Sequence, residues 1–338
     1  VVLGLERYEA INLGEAPSKF QIAKRIDASE AINLDFDSKL EIHDMLKREF
    51  RKLLVESDIK ILKDKEEEYS FLHLKRDILL EMLRNCHYCE RRCGVNRYEK
   101  RGFCKCGVVS YFGSEFLHMG EEPELIPSHT IFFNRCTFAC VFCQNYDIVY
   151  NDDYLADPKE LAYFIDKRYK QGSRNVNFVG GNPDQHAHTV CKILIEVKSN
   201  IPVVWNSNMY HSTELANVIE DFVDVWLGDF KYGNDDCALK YSKVKNYWSI
   251  ITRNFLRAKE NGELLIRHLV LPNHIECCTK KIVEWTAKNL GEYVRFNLMF
   301  QYYPTYKAWE YPEISRRLNG EEMKRALNVT TTYLKNLV

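Results

Sequence analysis

Cys136, Cys140 and Cys143 stand at C-x3-C-x2-C spacing in the run Asn134-Arg-Cys-Thr-Phe-Ala-Cys-Val-Phe-Cys-Gln-Asn145. Three thiolates from one short loop can hold three irons of a [4Fe–4S] cluster. The fourth iron then has no ligand from the loop, and an open coordination position is where a metal centre does chemistry. Competing readings are a structural zinc site and unrelated buried thiols; zinc sites usually show paired C-x2-C knuckles. A second run places Cys86, Cys89, Cys93 and Cys104 at C-x2-C-x3-C-x10-C, with Cys106 in excess. Four such thiolates can close a site around zinc or iron, or hold a further iron–sulfur cluster. Arg91, Arg92 and Arg97 lie among them and would offset their charge. This site reads as a staple for a loop-rich module, with an auxiliary electron-transfer or substrate-binding cluster as the alternative. Cys191 reads as core. Cys237, Cys277 and Cys278 match neither site by spacing, and the vicinal pair reads as incidental.

The elements that must position these residues follow from hydrophobic pattern. Residues 1–82 read as a helical, charge-rich extension. Ser38-Lys-Leu-Glu41 fits a capping box ahead of one helix, and a second covers Tyr69–Arg84. The run Lys63–Glu68 reads as a solvated linker. Residues 83–128 form the cysteine-rich module. Strands are expected at Thr130–Asn134, Asn175–Val179, Val203–Asn206, Val223–Gly228, Leu264–Leu271 and Val294–Phe300, each separated by room for a helix. Repeated β-α units imply a parallel sheet with right-handed crossovers. Six of them predict an α/β fold, a partial (β/α)6 barrel over residues 129–308, closed by a helix within 309–338. In such barrels sites gather at the C-terminal ends of the strands. The three-cysteine loop follows the first expected strand.

Other polar residues share that end. Gly180-Gly-Asn182 follows the second strand, and paired glycines let a backbone approach its neighbour closely. Trp205-Asn-Ser-Asn208 follows the third; Asn206 and Asn208 suit a carboxylate or ribose, or else form a helix cap with an Asx turn. Asp229 and Lys231 end the fourth, two apart and so on one face, either paired or holding substrate. Arg267 near the end of the fifth can clamp a carboxylate or phosphate, whereas His268 points the other way. Asn297 and Gln301 lie by the sixth. No residue is assigned the catalytic step itself.

Around the three cysteines the sequence resembles the radical S-adenosylmethionine (SAM) enzymes, with Phe138 and Phe142 also fitting their pattern. The resemblance implies a SAM-ligated [4Fe–4S] cluster, reductive SAM cleavage and hydrogen-atom abstraction by a 5′-deoxyadenosyl radical. It also implies that Gly180, Gly181 and Asn182 meet the methionine end of SAM; the superfamily's acidic position is here the uncharged Asn182. Further strings narrow it: Cys143-Gln-Asn-Tyr146, Val179-Gly-Gly181, Asp229-Phe-Lys-Tyr232, Arg267-His-Leu-Val-Leu-Pro272, Gln301-Tyr and His118-Met-Gly-Glu-Glu-Pro123. These are similar to the pyruvate formate-lyase activating enzyme-like (PflX-like) family over about residues 83–305. That family carries the second cysteine module too, and its spacing favours Cys104 over Cys106.

The chain has 338 residues, 46% hydrophobic, with net charge −1. That balance supports a large core and gives no basic field for nucleic acid. Eight of the twelve cysteines lie between Cys86 and Cys143, which favours metal over disulfides and a reducing cytoplasm. No apolar run approaches membrane-spanning length, and Val1–Ala10 shows no secretory signal. The expected protein is a radical SAM oxidoreductase served by a ferredoxin or flavodoxin, acting on a protein or peptide. The alternatives are an RNA-modifying enzyme and a non-enzymatic iron–sulfur electron carrier.

Overall fold

A computed structural model describes residues 3–56 and 58–338. Four helices come first: α1 (Glu6–Asn12), α2 (Lys19–Ala23), α3 (Phe36–Glu56) and α4 (Phe71–Met82). After the cysteine-rich loop come β1 (Tyr111–His118) and β2 (Ser128–Phe133). Then follow α5 (Tyr146–Val149), β3 (Tyr154–Leu155), α6 (Pro158–Lys170), β4 (Asn175–Gly180), α7 (Ala187–Glu196), β5 (Val203–Ser207), α8 (Thr213–Ile219) and β6 (Val225–Asp229). The chain ends with α9 (Asp235–Ser242), α10 (Tyr247–Asn261), β7 (Glu263–Leu269), α11 (Lys281–Leu290), β8 (Arg295–Met299) and α12 (Gly320–Tyr333).

One sheet of eight strands runs in the order β3-β1-β2-β4-β5-β6-β7-β8. From β2 to β8 the six neighbouring strands are parallel, in the register of a partial (β/α)6 barrel. Their positions match the six expected strands to within a few residues. All their loops toward the C-terminal ends therefore meet at one end.

Two elements differ from expectation. The module at 83–128 contains a real strand, β1, which pairs antiparallel with β2 and carries β3 on its outer edge. Its sequence, Tyr-Phe-Gly-Ser-Glu-Phe-Leu-His, mixes glycine and charge, so its period-two pattern is faint. The first long helix starts at Phe36, not after Ser38, because the Asp35 carboxylate accepts the Ser38 N–H at 3.0 Å and its hydroxyl at 3.0 Å. Within Lys63–Glu68, Glu66 is not merely solvated: it pairs at 2.9 Å with the buried Lys24.

The segment after β1 crosses the open side of the barrel. Glu122 takes Arg267 Nε on β7 at 2.6 Å and the Asn297 amide on β8 at 2.8 Å. Glu124 takes Arg295 Nε on β8 at 2.6 Å. These charge-assisted bonds bridge the gap between the first and last parallel strands.

Candidate active site

Cys136, Cys140 and Cys143 lie in the loop after β2 and line one cavity of about 440 Å³. That volume is in the range of small-molecule sites. Gly180, Gly181, Asn182, Asn206, Asn208, Asp229, Lys231 and Arg267 line the same cavity, from β4, β5, β6 and β7 and the loops beyond them. They come from four different strand ends, so only the parallel topology assembles them.

The cysteine loop is fixed from several sides. Cys136 Sγ lies 3.2 Å from the Gly181 carbonyl, and the Phe138 N–H points to that sulfur at 3.3 Å. Cys140 Sγ is 2.9 Å from the Ser242 hydroxyl at the end of α9. Ser242 in turn lies 2.6 Å from the Tyr232 hydroxyl. The Ala139 and Val141 N–H groups donate to the carbonyls of Ser242 and Tyr241, at 3.1 and 2.8 Å. Burial pushes all three thiols up, Cys143 to about 12. Thiolates therefore form here when a cation takes their charge, as a bound metal does.

The glycine pair serves the loop as well as any ligand. Gly180 has φ +104°, and a Cβ there would collide with the Phe133 backbone; one on Gly181 would collide with the Arg135 carbonyl. Only glycine lets the β4 turn lie against the cysteine loop. The Asn182 side-chain oxygen accepts the Asn208 N–H at 3.0 Å, tying the β4 and β5 loops together. Along β5 the alternation sorts the residues: Trp205 Nε1 and Ser207 Oγ both donate to the buried Asp184, at 2.8 and 2.9 Å. Asn206 and Asn208 face the cavity instead. Asn208 donates to Thr137 Oγ1 at 2.9 Å and also makes the expected Asx turn, accepting the Tyr210 N–H at 3.1 Å. Asn206 Nδ2 is buried without a partner. A buried donor facing a cavity without a partner suits a bound acceptor.

Asp229 and Lys231 pair at 2.7 Å on the cavity wall. Burial pulls the Lys231 ammonium down, but Asp229 and the nearby thiols outweigh it and hold it charged. Arg267 departs from its expected role. Its guanidinium is already held by Glu121 and Glu122, so it clasps the β1–β2 crossing and has no free fork for a ligand carboxylate. Asn297 is likewise committed to Glu122. His268 is buried between the Phe230 carbonyl and Thr279, at 2.7 and 2.8 Å, on the side opposite Arg267.

Several residues at the site have no role assigned from the sequence, although Tyr232, Asn145, His118 and Glu121 lie in the motif strings noted above. Ser242 and Tyr232 reach Cys140 only through the fold. Asn145, whose amide donates to the Gly180 carbonyl at 3.1 Å, closes the far end of the cysteine loop. His118 and Glu121 supply the facing wall.

The second cysteine run is gathered beside the first. Cys86 and Cys93 contact through their thiols, as do Cys104 and Cys106. The backbone at Gly102 lies against Cys93 Sγ, bringing the two halves together. Of the three arginines, only Arg97 is buried among these thiols. Arg91 reaches across to the Thr137 carbonyl of the first loop at 2.6 Å, and Arg92 turns out to Glu90 and Glu214.

A radical SAM superfamily model matches residues 130–286. Its span begins at β2 and takes in the cysteine loop and the strands up to β7. Residues 130–286 form a radical SAM superfamily domain. The chain is 47% identical to the uncharacterised protein MJ0674 of Methanocaldococcus jannaschii, over 99% of both chains. Solved structures align more remotely. Streptococcus suis SuiB, bound to its precursor peptide SuiA, matches 60% of this chain at 13% identity with a TM-score of 0.43. This chain spans only 46% of that one. Methylornithine synthase (PylB) matches 81% of this chain and 72% of its own, at 14% identity and a TM-score of 0.42. No described helix is long and apolar enough to cross a membrane.

Proposed function

We propose that this protein binds a [4Fe–4S] cluster on Cys136, Cys140 and Cys143, and SAM beside it, to abstract a hydrogen atom from a protein or peptide. One observation carries this reading. Three half-buried thiols share a cavity with the unpartnered amide of Asn206 and the cation of Lys231. The cluster and SAM would supply the electron and the 5′-deoxyadenosyl radical. Within that chemistry, Lys231 and Asn206 would orient the carboxylate or ribose of SAM. Gly180, Gly181 and Asn182 would present backbone groups to its amino end. Phe132, Phe138 and Phe142 line the cavity and would exclude water.

A macromolecular substrate is favoured by the aromatic residues following the cysteine loop. Tyr146 and Tyr150 are exposed, and both pack on Tyr306 with ring centroids 5.4 Å apart. Such a ledge suits peptide side chains. The strings shared with the PflX-like family support placing the chain there. A ferredoxin or flavodoxin in a reducing cytoplasm would deliver electrons. Cys86, Cys89, Cys93 and Cys104 would hold a second, structural metal. A pure electron carrier would have no use for the Asn206 donor and the cavity it faces.

The test is anaerobic reconstitution with iron and sulfide, then SAM and dithionite, with 5′-deoxyadenosine measured. Wild-type protein should form it and Cys140→Ala should fall to background. Equal formation by the variant would refute the site. Deuterium transfer from labelled peptides rather than RNA would then settle the substrate class.

A further inference from the structure

A third set of cysteines lies outside both runs. Cys237 stands in the first turn of α9, and Cys277 and Cys278 sit in the π-helical stretch Ile275–Lys280 that leads into α11. Their sulfurs all lie within 4.8 Å of one another, a grouping that neither cysteine-rich run achieves among the described residues. The Cys277 and Cys278 sulfurs are 3.9 Å apart, and all three thiols are free. Two thiolates on one tetrahedral ion sit about 3.8 Å apart, given zinc–sulfur bonds of about 2.3 Å.

The surroundings are built like the outer shell of a metal site. His274, one turn earlier, contacts Cys237 through its ring. Its Nδ1 donates to the Pro272 carbonyl at 2.6 Å, which fixes the orientation of the ring. That Nε2 is 3.0 Å from the Tyr241 hydroxyl. Asn234 ties the three cysteines together. Its Oδ1 accepts the Cys237 N–H at 2.8 Å, and its Nδ2 donates to the Cys277 carbonyl at 3.0 Å while lying 3.8 Å from Cys278 Sγ. A Cβ on Gly233 would fall 2.6 Å from the Cys277 carbonyl, so the loop after β6 is pressed onto this stretch. π-Helical turns often mark functional positions.

We propose that Cys237, Cys277 and Cys278 form a three-thiolate site for a zinc-like divalent ion, beside His274. It is separate from both cysteine-rich runs. Its position gives it a task. α9 carries Cys237 in its first turn and Ser242 at its end, and Tyr241 and Ser242 hold the backbone of the Cys136–Cys143 loop. The loop after β6 carries Lys231 into the cavity and Asn234 to the three cysteines. An ion here would clamp both supports of the active site at once.

The full-length protein, purified anaerobically and reconstituted with iron and sulfide, would be loaded with zinc and its metals counted. The double variant Cys237→Ser/Cys278→Ser should lose one zinc per chain and keep its cluster iron. With cobalt in place of zinc, wild type should show the intense visible bands of a tetrahedral thiolate complex, and the double variant should lose that contribution. Unchanged zinc and cobalt signals in the double variant would overturn the proposal. Should that variant not fold, thiol alkylation of wild type decides the matter. Zinc should protect Cys237, Cys277 and Cys278 together; equal labelling with and without zinc, or a disulfide among them, would overturn it.

Discussion

Cys140 shows how neighbouring side chains would set the character of the proposed cluster ligand. Its sulfur faces the Ser242 hydroxyl at 2.9 Å, and that hydroxyl is itself 2.6 Å from Tyr232. A hydrogen bond to a cluster thiolate stabilises the reduced, more negative state and raises the potential. Ser242→Ala should therefore retain cluster iron but shift its potential to more negative values, read by a redox titration followed by electron paramagnetic resonance. An unshifted potential would mean that the contact is steric only. Arg267 teaches the opposite lesson. Its type and strand position suggested an anion clamp, yet Glu121 and Glu122 already occupy it. A strand sequence shows which way a side chain points, not which partner waits there.

At the scale of elements, the six parallel strands were readable because each is a short β-branched or aromatic run bounded by turns. β1 was not, since its pairing with β2 rather than its own pattern makes it a strand. α1 was also hidden. Its first turn is received by Glu263 at the start of β7, which accepts the Arg7 and Tyr8 N–H groups at 2.6 and 2.8 Å. Burial pushes this carboxyl up to about 7, against the pull of those two donors. The unfolded chain then gives up the proton first as pH rises. The contribution of Glu263 to stability is thus fully present below about pH 4.5 and lost as pH climbs through about 7, on the order of 2 kcal/mol after partial screening. Thermal melts of wild type should lose this increment over that window, and Glu263→Gln should flatten it. Parallel melting curves for the two proteins would contradict the assignment.

For the whole molecule, the N-terminal helices are part of one core with the barrel. Phe71, Leu72 and Ile78 of α4 belong to the same buried cluster as Val190 and Leu194 of α7. Their buried lysines end on carbonyls where barrel helices stop. Lys24 Nζ meets the Val197 carbonyl at 2.9 Å, Lys19 the Glu220 carbonyl at 3.0 Å, and Lys75 the Val218 carbonyl at 2.9 Å. Ammonium groups there satisfy orphan carbonyls and oppose the helix dipoles. Lys75 also pairs with Asp221 at 2.6 Å, fully buried. Lys75→Met would strand that carboxylate and should cost about 3 kcal/mol, seen as a lower urea midpoint. A midpoint within error of wild type would show that the pair contributes nothing net.

Sequence alone determined the cysteine loop, the six-fold β-α repeat and the polar strand ends, because each is written in residues a few positions apart. Tertiary structure alone decided what those residues meet: the partners of Arg267, the hydroxyl on Cys140, the docking of the first helices and the meeting of Cys237 with Cys277 and Cys278. Those contacts join distant segments, and hydrophobic period and motif spacing carry no signal across such separations.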